Sequence, residues 1–345
     1  MRILFRFDSS QVIGHGHLYR CFELGNFFES KGHDCFYLTN NFDIKLKKYF
    51  SINTNNIFLI NKKIFFKNNN SINHFQRWEN SLQIQDAKLT KYYIVKNNIN
   101  IVFRDHYGLD YIWDKELSAN CRLIVIDDLK KNKNYCDIYI NYHYKFFKKK
   151  DSSLLLKKKC LPLLGEKYFI SKNIKFYKKK IIKQIFIYMG GADKNNYASH
   201  VFNCLNNIVL KNYKKVFLFN KKNKIHNKLQ KKAKMIKGYK ILLSPIKKIE
   251  NYYINSSLCI TAAGVSMYKQ ILYKANSLII PQTYNQKLAA KLLTKKKLFH
   301  ILNNINSLNV KKILFAINNP RFNLKNKFLD HNGKSRILKK IEQIN

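Results

Sequence analysis

No apolar run in this sequence approaches the ~20 residues that a membrane span needs. No two cysteines stand at the short spacing of a zinc or redox motif, arginine is scarce, and no triad of carboxylates is clustered for a divalent cation. Each absence removes a class of protein. The seven cysteines, odd in number and far apart, read as reduced thiols of the cytoplasm. The opening Met1–Asp8 meets an Asp after a short apolar run, too brief for a signal peptide, so a cytoplasmic location is expected. Scarce arginine argues against a groove-reading nucleic-acid binder, because the guanidinium fork is what pairs bidentately with bases.

What is present is a long, basic, aromatic-rich chain. Its 345 residues suggest two domains, and 46% hydrophobic with 14% aromatic residues is enough apolar surface to offset the entropy of ordering. The net charge of +45 comes from 65 Lys and Arg against 20 Asp and Glu. It is mostly Lys in runs along the whole length, as in Lys148 to Lys150, Lys157 to Lys159 and Lys178 to Lys180. That spread reads as solvated surface, with no specific nucleic acid expected, although the field should draw polyanionic small molecules inward.

Periodicity gives an α/β chain. Short apolar runs at residues 3–7, 35–38, 99–103, 123–126 and 138–140 read as strands, with a helical pattern over Leu18, Cys21, Phe22, Gly25 and Phe28 after the first. The pattern restarts with strands at 185–188, 216–219, 241–243, 258–260 and 278–280, and helices near 196–210, 247–254, 265–274 and 285–296. Between the two series, Leu161-Pro162-Leu163-Leu164-Gly165 and the basic run at 173–183 read as an interdomain crossing. The expectation is a first Rossmann-like domain over 1–160, a second over 175–330 and a C-terminal helix over 331–345. The two domains would face each other across a cleft, with ligands at the carboxyl ends of the strands.

The most informative stretch, Asp8 to His17, leaves the first strand and opens the first helix with Gly14 and Gly16. Glycines there let the backbone approach a ligand, and a helix N-terminus offers unpaired N–H groups to a diphosphate. His17, at the positive helix end, is expected to stay neutral; with Asp8 near enough to orient it, it becomes a candidate general base. Packing or capping is the alternative for the same histidine.

The run D-S-S-x-x-I-G-x-G-H-x-x-R-C from Asp8 to Cys21 resembles the opening signature of the pseudaminic acid UDP-sugar hydrolases. Asp105-His106-Tyr107-Gly108-Leu109-Asp110, Ile126-Asp127-Asp128-Leu129, Tyr188-Met189-Gly190-Gly191-Ala192-Asp193 and Pro281-Gln282-Thr283-Tyr284-Asn285-Gln286 resemble further blocks of that family in the same order. The resemblance implies the GT-B arrangement of the MurG-type glycosyltransferases, with UDP held mainly by the C-terminal half. It also implies a mechanism without metal or cofactor, in which His17 deprotonates a water that attacks the anomeric carbon with inversion. Leaving-group charge would be met by Gly14, Gly16, Gly190, Gly191 and Gly264. Arg20, Val265, Ser266, Lys269 and Gln286 complete the expected substrate-binding set. Tyr107 and Asn285 are the next candidates, holding the water or a sugar hydroxyl, with packing for Tyr107 and capping for Asn285 and Gln286 as the alternatives.

Ala263-Gly264-Val265-Ser266-Met267-Tyr268-Lys269 departs from that family, which carries an acid on the nucleotide ribose where this chain has Lys269. Lysine accepts no hydrogen bond, so ribose recognition is altered or transferred, for instance to Gln270. The G-V-S-M-Y form is similar to the spore-coat polysaccharide relatives. Three functions stay open: a UDP-sugar hydrolase, a transferase on the same fold with the Phe65 to Trp78 stretch shaping an acceptor site, and a basic binding protein on an inactive scaffold. Oligomeric state is not legible.

Overall fold

A computed structural model describes residues 1–9, 16–40, 56–60, 76–128, 132–143, 153–171, 180–191, 193, 195–221, 223–244, 246, 248–264, 266–283, 286–287, 290–291, 297–321 and 329–344. It divides into two compact units. Unit 1 comprises Met1–Asn173 with Asp330–Asn345, and unit 2 comprises Ile174–Leu329. No helix among the described residues is long and apolar enough to cross a membrane.

Unit 1 is a seven-stranded sheet in the order β3-β2-β1-β4-β5-β6-β7. Its strands are β1 (Arg2–Phe7), β2 (Asp34–Thr39), β3 (Ile57–Leu59), β4 (Ile101–Asp105), β5 (Arg122–Ile126), β6 (Ile138–Asn141) and β7 (Leu161–Leu164). Every pairing is parallel. On one face Ile3, Phe5 and Phe7 pack with Leu18, Phe22 and Phe28 of α1 (Gly16–Glu29) and with Ile337, Leu338 and Ile341 of the last helix, α9 (Gly333–Glu342). On the other, Leu4, Val102, Leu123 and Val125 pack with Ala87 and Ile94 of α2 (Asn80–Lys96) and with Trp113 and Leu117 of α3 (Tyr111–Leu117). Strands covered on both faces read as near-continuous apolar runs, which is why the sequence displays them.

The expected crossing at Leu161–Gly165 is corrected. Leu161–Leu164 forms the edge strand β7, paired with β6, a position that tolerates Pro162 because its missing N–H breaks no ladder on the open side. The chain passes between units after Asn173 and returns before Asp330, so α9 belongs to unit 1. Two glycines mark close approaches: a Cβ on Gly25 would lie 1.9 Å from the Tyr37 hydroxyl, and one on Gly333 would lie 2.1 Å from the Phe169 carbonyl oxygen.

Unit 2 repeats the plan with six parallel strands in the order β10-β9-β8-β11-β12-β13. They are β8 (Ile182–Tyr188), β9 (Lys214–Asn220), β10 (Tyr239–Ser244), β11 (Ser256–Ala262), β12 (Ser277–Ile280) and β13 (His300–Ile301). Between them run α4 (Tyr197–Leu205), α5 (Asn227–Lys234), α6 (Ile249–Asn255) and α7 (Ser266–Leu272), and α8 (Val310–Asn318) follows β13. Ile185, Ile187, Phe217, Phe219, Leu258 and Ile260 form the core with Val201, Phe202 and Leu205 of α4. Both units are Rossmann-like, and in both the strand order reverses beside the first strand, between β1 and β4 and between β8 and β11. Crevices at such reversals, outside the strands' carboxyl ends, are where this architecture binds ligands.

Candidate active site

The reversal point of unit 1 gathers polar side chains from four strand ends. β1 supplies Asp8, β4 supplies Asp105, His106 and Tyr107, β5 supplies Asp128, and β6 supplies Tyr142 and His143, while α1 lays His17 and Arg20 among them. His17 is 4% exposed and sits in this polar cluster rather than in the apolar core. Its Nδ1 lies 2.6 Å from Asp105 Oδ1. A carboxylate there fixes Nδ1 as the protonated nitrogen and leaves Nε2 as the one that takes a proton. The Tyr107 ring meets the imidazole edge-on, with centroids 4.5 Å apart.

Asp105 is itself held. Arg20 donates from Nε to Oδ2 at 2.6 Å and from Nη2 to Oδ1 at 2.5 Å, and Nη1 reaches Asp128 Oδ2 at 2.8 Å and the Tyr142 hydroxyl at 2.5 Å. Burial pushes the Asp105 carboxyl up, but Arg20 and His17 outweigh it and hold it well below the usual carboxylate range. Burial likewise acts on Asp128, and Arg20 followed by His143 brings its carboxyl below the ordinary value. Asp128 Oδ1 is buried and accepts no hydrogen bond among the described residues.

The expected orienting role of Asp8 is corrected. Its Oδ1 accepts from Arg6 Nη1 at 2.6 Å and from the Asn40 backbone, and its Oδ2 from Asn40 Nδ2 at 2.8 Å and His106 Nε2 at 3.0 Å. The reason is strand alternation with local charge: the fully buried Arg6 guanidinium needs carboxylates, and among the described residues Asp8 and Asp86 supply them. Burial raises the Asp8 carboxyl, and Arg6 and His106 more than reverse that, so it stays well below the carboxylate range. His106 accepts from the Gly108 N–H at Nδ1, so Nε2 carries the proton donated to Asp8, and burial lowers its imidazole below the ordinary value.

The unit 2 residues of the expected set lie at the carboxyl ends of its strands. Gly190, with φ of +85°, makes the turn after β8, a conformation that favours glycine, and Gly191 follows it. Gly264 ends the segment after β11, and Ser266 and Lys269 lie in α7. Gln286 accepts the Gln282 N–H at 2.9 Å and donates its own N–H to Thr283. Gln270, the alternative ribose contact, is fully buried and donates to Thr261 Oγ1 at 3.0 Å. Gly16 opens α1, and no atom of the described residues lies within 4 Å of where its Cβ would stand. Gly14, Val265 and Asn285 lie outside the described residues.

Sequence reasoning assigned no role to a second buried group in unit 2. Asp193, at φ +36°, accepts the Tyr197 and Ala198 N–H groups at 2.9 and 3.0 Å and so caps α4, and also receives His226 Nε2 at 2.9 Å and Gln282 Nε2 at 3.1 Å. The helix end after the glycine turn is thus filled by the chain's own carboxylate. Asp193 stood inside a quoted block, but His226 lies 33 residues away and nothing in its neighbourhood signals the pairing.

No family model and no curated protein sequence matches the chain. Solved structures do match, at low identity. The glycotransferase of kitacinnamycin superposes with a TM-score of 0.67 at 9% identity, covering 99% of this chain and 98% of that one. MurG of Acinetobacter baumannii gives 0.64 at 10%, covering 99% and 100%. S. aureus MnaA, solved with UDP, gives 0.57 at 12%, covering 99% and 96%. The likeness carries the fold: two Rossmann-like units of the GT-B type.

Proposed function

We propose that this chain cleaves the anomeric carbon–oxygen bond of a nucleotide sugar, with His17 as general base. The observation that supports this most directly is the 2.6 Å bond between His17 Nδ1 and Asp105 at the reversal point of unit 1. An attacking hydroxyl gives its proton to His17 Nε2, its oxygen bonds to the anomeric carbon, and the bond to the diphosphate breaks with its electron pair leaving on the phosphate oxygen. Asp105 stabilises the imidazolium that forms, and Arg20 fixes Asp105. Tyr107 and the open lone pair of Asp128 Oδ1 hold hydroxyls of the nucleophile or sugar. The glycine turns at Gly190–Gly191 and Gly264, within a strongly basic unit, meet the diphosphate charge.

The nucleophile separates two readings. The fold neighbours named as transferases favour an acceptor molecule in place of water. The five motif blocks that resemble those of the pseudaminic acid UDP-sugar hydrolases favour water. Incubating the purified chain with UDP-sugars and following UDP without an acceptor decides between them: release in water supports hydrolysis, and release only with an acceptor supports transfer. If no UDP-sugar is turned over and neither UDP nor UDP-sugars raise the melting temperature, the nucleotide-sugar proposal fails. His17→Ala is expected to keep that thermal shift and lose turnover; loss of both makes His17 structural.

A further inference from the structure

Charge is divided unevenly between the units. In residues 174–329, 32 Lys and Arg stand against two acids, a difference of +30, which leaves +15 for the rest of the chain. Neither acid lies at the amino ends of the unit 2 strands: Asp193 follows β8 and is buried, and Glu250 lies in the first turn of α6 after β10.

The amino ends of β8, β9 and β10 are neighbours in the sheet and carry exposed aliphatic side chains. Ile182 opens β8 at 42% exposure, Ile208 and Val209 lie in the turn before β9 at 75% and 57%, and Met235 follows α5 before β10 at 87%. Adjacent strands stand about 4.8 Å apart, so these residues line one rim. Exposed Lys183, Lys211, Lys214 and Lys237 are interleaved with them. The rim is at the opposite end of the sheet from Gly190, Gly264 and Gln282.

We infer that this rim is a docking surface for an anionic lipid bilayer. Aliphatic side chains enter the headgroup–acyl boundary while the lysines pair with lipid phosphates, the two signals that interfacial binding combines. Nucleic acid fits less well, since single strands are held by aromatic platforms and guanidinium groups, whereas these side chains are Ile, Val, Met and Lys.

The full-length chain is floated with vesicles of neutral phosphatidylcholine and with vesicles containing about a third phosphatidylglycerol. Association with the anionic vesicles alone, weakening as salt is raised, is expected. The Ile208→Ser, Val209→Ser, Met235→Ser triple variant keeps every charge and is expected to bind at least about tenfold more weakly. Lys183→Gln, Lys211→Gln, Lys214→Gln, Lys237→Gln is expected to lose binding to a comparable degree. All seven positions are exposed, and an unchanged melting temperature confirms folding. No binding to anionic vesicles overturns the inference. So does triple-variant binding equal to wild type, which reduces the interaction to diffuse charge, or short single-stranded RNA displacing the chain from vesicles through these same residues.

Discussion

His17 takes its orientation from a residue 88 positions away, and that pairing defines what substitution at Asp105 does. Asp105→Asn keeps the shape but offers an amide that can present either donor or acceptor to Nδ1, so the imidazole loses its fixed tautomer. A fall in kcat of a hundredfold or more, on the order seen when a base loses its orienting carboxylate, is expected with nucleotide binding retained. Steady-state kinetics with a UDP thermal-shift control checks it; unchanged kcat would remove Asp105 from the chemistry. The sequence exposed His17 because two glycines precede it just after a strand. It did not expose Asp105 as the partner, because spacing along the chain favours Asp8, and only the parallel register that sets Phe7 against Asp105 brings the true partner into reach.

At the scale of elements, the loop after β4 is stapled from behind. The Trp78 backbone N–H donates to the Gly108 carbonyl at 2.8 Å, and the Trp78 indole lies 2.4 Å from where a Gly108 Cβ would stand. Gly108→Ala therefore forces the indole or the loop to move, with a stability loss of about 1 to 3 kcal/mol and a further drop in turnover as Tyr107 shifts. Gly16→Ala is the contrast: no atom of the described residues lies within 4 Å of that Cβ, so the melting temperature is expected to hold while KM rises as the added methyl meets a ligand approaching the protein backbone there. Circular dichroism melts of both variants test the pair. β6 brings a pH term. Burial, opposed by Asp128 and assisted by Arg20, pushes the His143 imidazole down to about 4. Below an unfolded value of about 6.5 the unfolded chain binds a proton that the folded one refuses, so stability is lost as pH falls from about 6.5 to 4, by on the order of 3 kcal/mol. The difference between wild type and His143→Asn across that window isolates the effect from carboxylates titrating alongside; parallel curves would refute it.

The elements differ in how far the sequence revealed them. Central strands buried on both faces were legible to within three residues at either end, and β5, β6 and β12 to within one. The short edge strands β3, β7 and β13 were not, since two to four residues are too few to set a period, Ile57–Leu59 stands in a stretch rich in Asn and Lys, and Pro162 disguised β7. α2 hid because its inner face carries Gln83, Asp86 and Thr90 beside Ala87 and Ile94, the polar members serving Arg6 and the β4 loop rather than the core.

At the scale of the whole molecule, α9 closes a unit that begins with the first strand. Removing residues 330–345 takes away Ile337, Leu338 and Ile341, each contributing about 1.5 to 3 kcal/mol by burial, and uncovers Phe28 and its neighbours. The truncated chain is expected to melt in two steps, unit 1 first and unit 2 near its original temperature, with protease cutting unit 1 preferentially. A single unshifted transition would show that α9 is dispensable.

That return path also sets an order of events during synthesis. A ribosome completes residues 174–329 before the helix that seals unit 1 has been translated, so the second half-molecule is free to fold while the first still waits, its aromatic flank bare, for residues 333–342 to be made.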